Sequence, residues 1–208
     1  MTRILIIDSA ATGEASVSRK LTGELAARLR KRDPSIRISY RDIGSAPIPH
    51  LTPDTVSAIR GTAESDLARA TLRLSDELIA ELNAADILVI GAPMYNFGIP
   101  STLKTWFDHV LRAGVTFRYT EAGPEGLVKN KRAVVIETRA GFYSEGPAAG
   151  MDSQEPHLRT MLGFMGVTDI AFVRAEKLAF GADAAGAAIE HAIEELQGFA
   201  DTELAQAA

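Results

Sequence analysis

The chain has 208 residues, 46% hydrophobic and 24% charged, which suits one α/β domain over residues 1–208 rather than two independent cores. Its 22 Lys and Arg against 27 Asp and Glu give a formal net charge of −5, which argues against a nucleic-acid partner; the lack of cysteine excludes disulfides, thiolate chemistry and cysteine-ligated metals. No apolar run approaches the roughly 20 residues that span a bilayer, and the N-terminal segment lacks the pattern of a signal peptide, so a cytoplasmic location without membrane contact is expected.

Residues 3–8, "RILIID", form a short Ile-rich run that predicts a buried strand. Over 16–32 the residues Val17, Leu21, Leu25, Ala26 and Leu29 recur at helical spacing, with Ser16 or Ser18 available as cap. The segment 28–33, "RLRKRD", places positive charge at that helix's C-terminus, where the dipole favours it. A second strand follows at 36–42, then a Pro-rich loop at 43–53, a weak helical pattern near 53–61 and a strong one at 65–84. "ADILVIG", 85–91, is the third strand, and 101–114 is a helix entered at Pro100 and Ser101 and ended near Gly114. Residues 115–128 break the pattern: Thr, Phe and Tyr flank a Gly-Pro turn, which predicts a hairpin excursion. Strands at 131–139 and 168–176 and helices near 152–165 and 183–205 complete the chain, whose tail at 203–208 is expected to fray. Unalternating strands separated by helices imply an α/β, doubly wound sheet of five parallel strands with helices on both faces.

In such a sheet, ligands bind beyond the carboxyl ends of the strands where the strand order reverses. After the first strand, Ser9, Thr12, Gly13, Ser16 and Ser18 lead into a helix N-terminus, a place for a phosphate, although neither G-x-x-x-x-G-K-[ST] nor G-x-G-x-x-G is present. A capped Ser-rich loop without ligand is the plainer alternative. After the third strand, Met94, Tyr95, Asn96 and Phe97 stand between Pro93 and Pro100, side chains that suit a planar heterocycle with polar edges, or else an apolar loop buried against the protein. After the fourth strand, Thr138, Arg139, Ala140 and Gly141 offer a small-residue backbone edge. A phosphate site, an aromatic and amide platform and a backbone edge are what a flavin mononucleotide requires.

The blocks "RILIIDSA…SVSRKLT", "DILVIGAPMYNFGIPSTLKTWFDHVLRAGVTFRYTEAGPEGLV" and "AVVIETRAGFY" resemble the FMN-dependent NADH:quinone oxidoreductases known as azoreductases, of flavodoxin-like fold, nearly end to end. The resemblance implies bound FMN, NADH as donor, quinone or azo compounds as acceptors, and a homodimer. It implies an FMN phosphate at Ser9, Ser16, Val17 and Ser18, an isoalloxazine against Met94, Tyr95, Asn96 and Phe97, and a pyrimidine edge near Thr138, Arg139, Ala140 and Gly141. Phe117 and Tyr119 would line the substrate pocket from the excursion, which the family directs toward a partner's flavin; a surface hairpin is the alternative. Ala10, where the family often has a second Ser, removes one hydroxyl, while Thr138 and Ala140 replace Ser and Gly and leave backbone contacts possible.

His50, His109, His157 and His191 are scattered without metal-ligand spacing, so no metal site is expected, and His109 reads as structural. Lys104 and Asp108 read as a helix-surface pair, and Trp106 and Phe107 as core or subunit interface. No obligatory side-chain acid is visible, so the hydride would be carried by flavin N5 without a catalytic residue. The alternatives are a flavodoxin-type one-electron carrier, which an aromatic excursion and 208 residues exceed, and a flavin- or quinone-responsive sensor, for which no effector segment is present.

Overall fold

The computed structural model describes the backbone of residues 1–206 and the side chains of residues 1–201. In chain order the elements are β1 (Arg3–Asp8), α1 (Val17–Arg32), β2 (Arg37–Asp42), α2 (Val56–Ile59), α3 (Asp66–Ala84), β3 (Ile87–Pro93), α4 (Ser101–Val110), β4 (Phe117–Thr120), β5 (Gly123–Gly126), β6 (Arg132–Thr138), α5 (Glu155–Met165), β7 (Asp169–Ala175) and α6 (Ala182–Gln206). Five strands form one parallel sheet in the order β2-β1-β3-β6-β7. From β1 the chain steps outward to β2, then returns across β1 to β3, so the order reverses between β1 and β3 and opens a crevice at their carboxyl ends.

Both faces of the sheet are covered, which is why its central strands read as unbroken apolar runs. Side chains alternate between faces along each strand. Leu5, Ile7, Leu88, Ile90 and Val135 pack with residues of α3, α4 and α5, whereas Ile4, Ile6, Val89, Val134 and Ile136 pack with α1 and α6. All seven residues of β3 are buried. At this strand Gly91 is required by packing: a Cβ there would lie 3.0 Å from Asp8 Oδ1 and 3.1 Å from Thr22 Cγ2, so its absence lets the start of α1 settle over the β1–β3 crevice.

Several boundaries differ from the sequence expectation, each for a local reason. The helix expected over 101–114 stops at Val110, because the Thr116 hydroxyl donates to Val110 O (2.6 Å) and accepts from Arg112 N (2.9 Å), turning the chain into the excursion. The helix expected from 152 starts at Glu155, with Gln154 at the N-cap position; the Asp152 carboxylate accepts from Gln154 N (2.8 Å) and Glu155 N (3.2 Å) and fixes the turn that leads into it. The weak pattern at 53–61 contracts to α2, which Gly61 closes with φ +104°. The excursion is an antiparallel hairpin, with Phe117 opposite Gly126 and Thr120 opposite Gly123. Its turn lies at residues 121–122 rather than at Gly-Pro: Pro124 sits within β5, tolerated because a two-stranded ribbon leaves one edge unpaired. In the tail, α6 continues to Gln206, and residues 207–208, also expected to fray, lie outside the described residues.

Candidate cofactor site at the ends of β1, β3 and β6

Ser16 caps α1, its Oγ accepting from Arg19 N (3.2 Å) and lying 3.0 Å from Ser18 Oγ. The Val17 and Ser18 amides precede the first intrahelical bond and have no acceptor among the described residues, at the positive end of the helix dipole. Ser9 is fully buried and donates through Oγ to Gly91 O (2.6 Å), leaving that oxygen only its acceptor capacity. Ala10 is buried as well, with the Gly44 backbone directly against its carbonyl, so position 10 lies beneath the loop after β2. Below the loop, burial pushes the Asp8 carboxyl above its usual range, against a hydrogen bond from Thr22 (2.8 Å) and the Arg19 guanidinium at 4.0 Å.

The stretch after β3 is a two-residue turn. Tyr95 N donates to Gly98 O (3.0 Å) and Gly98 N to Tyr95 O (3.1 Å), while Asn96 and Phe97 have φ +48° and +71°. Positive φ at both central residues is the mark of a type I′ turn. Asn accepts that conformation readily; a bulky aromatic residue does so under strain, and such strain gathers at functional sites. Phe97 is nevertheless held there. Its carbonyl accepts from Ser153 N (3.0 Å), and its ring, 40% exposed, meets Tyr143 edge-on at 5.9 Å. Among the described residues, the Asn96 and Phe97 amides and the Asn96 side chain have no partners.

After β6 the backbone is less open than the sequence suggests. The Thr138, Arg139, Ala140 and Gly141 carbonyls accept from the Met94, Leu178, Ala179 and Lys177 amides, and Arg139 N donates to Ala175 O. The Ala140 and Gly141 amides remain unbonded, and the Tyr143 ring lies over Gly141, where a Cβ would come within 2.7 Å of it. The Arg139 side chain is completely buried in a network the sequence reading missed. Its Nε donates to Gln154 Oε1 (3.0 Å), Nη1 to Glu176 Oε1 (3.1 Å) and Nη2 to Glu137 Oε2 (2.6 Å), with Asp152 at 2.9 Å. Burial pushes Glu137 up to about 8 despite Arg139. For Glu176 burial acts in the same direction, but donors from Ser144, Tyr143 N and Arg139 outweigh it and hold the carboxyl below its usual range. A glutamate at the end of the apolar run "AVVIE" was the available signal: a charge buried in a central strand needs a buried partner.

The three loops are stitched together. The Tyr95 hydroxyl accepts from Ala11 N (3.1 Å), Thr102 Oγ1 donates to Ser9 O (2.8 Å), Met94 N to Thr138 O (2.9 Å), and Gln154 Nε2 to Ala92 O (2.8 Å). Three adjacent strands thus each end in a pair of unbonded amides: Val17 and Ser18, Asn96 and Phe97, Ala140 and Gly141. Of the excursion residues, Phe117 is buried against Phe164 (ring centroids 4.6 Å) and Tyr119 (5.5 Å), while Tyr119 is 73% exposed. His109 is structural, its Nε2 facing Pro49 O at 3.0 Å; Lys104 pairs with Asp108 (2.5 Å), and Trp106 and Phe107 are core.

A family model described as flavodoxin-like fold matches residues 2–199. The "FMN-dependent NADH:quinone oxidoreductase" of Hyphomonas neptunium is 49% identical over 202 residues, 97% of each chain, and that of Azotobacter vinelandii is 50% identical over 185 residues, 88% of this chain and 92% of its own. The chain belongs to the FMN-dependent NADH:quinone oxidoreductase family. Among solved structures, an FMN-dependent NADH-azoreductase from Bacillus anthracis in complex with FMN superposes with a TM-score of 0.88 at 25% identity, covering 97% of this chain and 99% of its own. The family's flavodoxin-like fold is the five-stranded parallel sheet described above. No described helix is long and apolar enough to cross a membrane.

Proposed function

We propose that the chain is an FMN-dependent NADH:quinone oxidoreductase that also cleaves azo compounds reductively, by a ping-pong mechanism. The observation that carries this reading is the row of three unbonded amide pairs at the ends of β1, β3 and β6. Their chemistry fits FMN. The Val17 and Ser18 amides, with the Ser16 and Ser18 hydroxyls, would hold a phosphate at a helix N-terminus, while Ser9, whose hydroxyl proton is committed to Gly91 O, would support the loop from beneath. Met94, Tyr95, Asn96 and Phe97 would hold the ring, with the Asn96 and Phe97 amides of the turn available to its polar atoms. The 138–141 edge takes the pyrimidine through the Ala140 and Gly141 amides; Arg139, whose own groups are engaged, supports that edge from behind. When bound, FMN would supply the two-electron redox chemistry between NADH and a quinone or azo acceptor.

The chain's residues bind and orient these partners, and no side-chain acid is required. Tyr119 extends the acceptor pocket, with Phe117 as the anchor that fixes it. The chain acts as a homodimer in which this exposed hairpin reaches the partner's site, and it works in the cytoplasm, where NADH is supplied. The test is anaerobic steady-state oxidation of NADH by the FMN-loaded protein, with benzoquinone and with an azo dye. Parallel initial-rate lines at several fixed acceptor concentrations are expected. Intersecting lines refute the ping-pong scheme, and failure to oxidise NADH leaves a one-electron carrier.

A further inference from the structure

We propose that Glu176 is a positioning residue for this reaction, holding the 140–154 segment in its working shape through Arg139 and the Tyr143–Ser144 backbone. Glu176 directly follows β7 and is 8% exposed. Its carboxylate gathers four donors: Tyr143 N at 2.8 Å, Ser144 N at 3.1 Å, Ser144 Oγ at 2.5 Å and Arg139 Nη1 at 3.1 Å. Arg139 continues the chain of contacts to Gln154 at the far end of the segment, and Gln154 Nε2 reaches Ala92 O in β3. One carboxylate therefore ties the start of the segment, its end and the platform strand into a single network.

The segment so held carries the unbonded Ala140 and Gly141 amides, the Tyr143 ring over Gly141, and Ser153, whose amide fixes the Phe97 carbonyl. Main-chain bonds from residues 177–179 to the 139–141 carbonyls hold only the first three residues of the loop; residues 143–144 depend on Glu176. Stability alone does not account for a buried ionic hub, because well-packed apolar side chains often serve as well or better. Placement of a loop against a polar ligand edge does account for it, because geometry at a site must be fixed by side chains whose own positions are locked by packing and hydrogen bonds.

This inference rests on the FMN reading, and its test separates the two. Apo-protein is titrated with FMN by fluorescence quenching, and amide hydrogen exchange is followed across the chain, for wild type, Glu176→Gln, Glu176→Ala and a control, Leu196→Ala. Leu196 is fully buried in α6 against the opposite face of the sheet, so its truncation lowers stability without touching the network. Glu176→Ala is expected to weaken FMN binding by roughly tenfold or more, from the loss of charge-assisted hydrogen bonds. Exchange should rise within 140–154 alone, and Glu176→Gln should fall between. In the loaded enzyme, KM for both substrates and kcat should change together. Leu196→Ala should leave FMN affinity unchanged at a comparable loss of melting temperature.

If wild type binds FMN and Glu176→Ala binds it equally well with unaltered exchange, the positioning role is wrong while the functional reading stands. If wild type binds no FMN, both fall. Should Glu176→Ala fail to fold, Ser144→Ala, which removes one donor, must still raise exchange at Tyr143 and Ser144; no change there overturns the proposal.

Discussion

Replacing Phe97 by glycine separates backbone strain from ligand contact. At φ +71° an L-residue gives up about 1–2 kcal/mol relative to ordinary conformations, which glycine recovers. Against this stand the lost edge contact with Tyr143, about 0.5–1.5 kcal/mol, and the greater backbone freedom of glycine when unfolded, about 0.5–1 kcal/mol. Little burial is lost, because the ring is 40% exposed. The terms nearly cancel, so Phe97→Gly should leave apo-protein stability within about 1 kcal/mol of wild type. An ordinary buried Phe truncated to Ala instead costs about 3–5 kcal/mol. FMN affinity should nonetheless fall several-fold, since an aromatic face is removed from the ring site. Urea denaturation of the apo-protein and a fluorescence titration with FMN measure the two effects. A stability loss above about 3 kcal/mol would show that Phe97 is a packed core residue, and unchanged FMN affinity would show that its ring faces elsewhere.

Asn96→Gly, which retains the positive φ and removes only the side-chain amide, should weaken FMN binding by about 1–2 kcal/mol, measured by calorimetry. Arg139→Met leaves the buried Glu137 and Glu176 beside a missing cation and should cost about 3–5 kcal/mol in urea denaturation. Burial holds the His109 pKa below its unfolded value near 6.5, and its Nδ1 has no partner to receive a second proton; its contribution to stability should be intact above about pH 6.5 and lost as pH falls below that. Glu137 has the opposite sign. Raised from 4.5 to about 8, it contributes fully below 4.5 and progressively less as pH rises through 8, so His109→Gln and Glu137→Gln should each flatten one limb of the apo-protein's stability–pH curve. Sedimentation should find a dimer, and a fully active monomer would refute a site shared through the Tyr119 hairpin.

The layered sheet was legible because its central strands β1, β3 and β6 are buried on both faces, and a run such as "ILVI" in β3 cannot be read as an amphipathic helix. The platform stretch was legible as a cluster of residue types. Its conformation was not: Tyr-Asn-Phe-Gly carries the Gly one position later than the usual Asn-Gly signature, and only the Tyr95–Gly98 pairing reveals positive φ at Phe97. The end of α4 was misplaced because Gly114 looked like the cap, whereas Thr116 reaches back to Val110. The hairpin turn was misplaced because Gly-Pro is a stronger local signal than Glu-Ala. Glu137 at the end of an apolar strand signals a buried partner, but which partners it has was not legible, because Arg139 gathers them from β6, the residue after β7 and the long loop before α5.

On the proposed function, the unbonded amides in the loops after β1, β3 and β6 hold one FMN, with its phosphate at the start of α1. The most direct measurement is an equilibrium titration of apo-protein with FMN, riboflavin and FAD. One FMN per chain is expected. Riboflavin, which leaves the Val17 and Ser18 amides and the serine hydroxyls without an anion, should bind at least about 100-fold more weakly, from the loss of two or more charge-assisted hydrogen bonds. Equal affinity for riboflavin, or preference for FAD, would contradict the account.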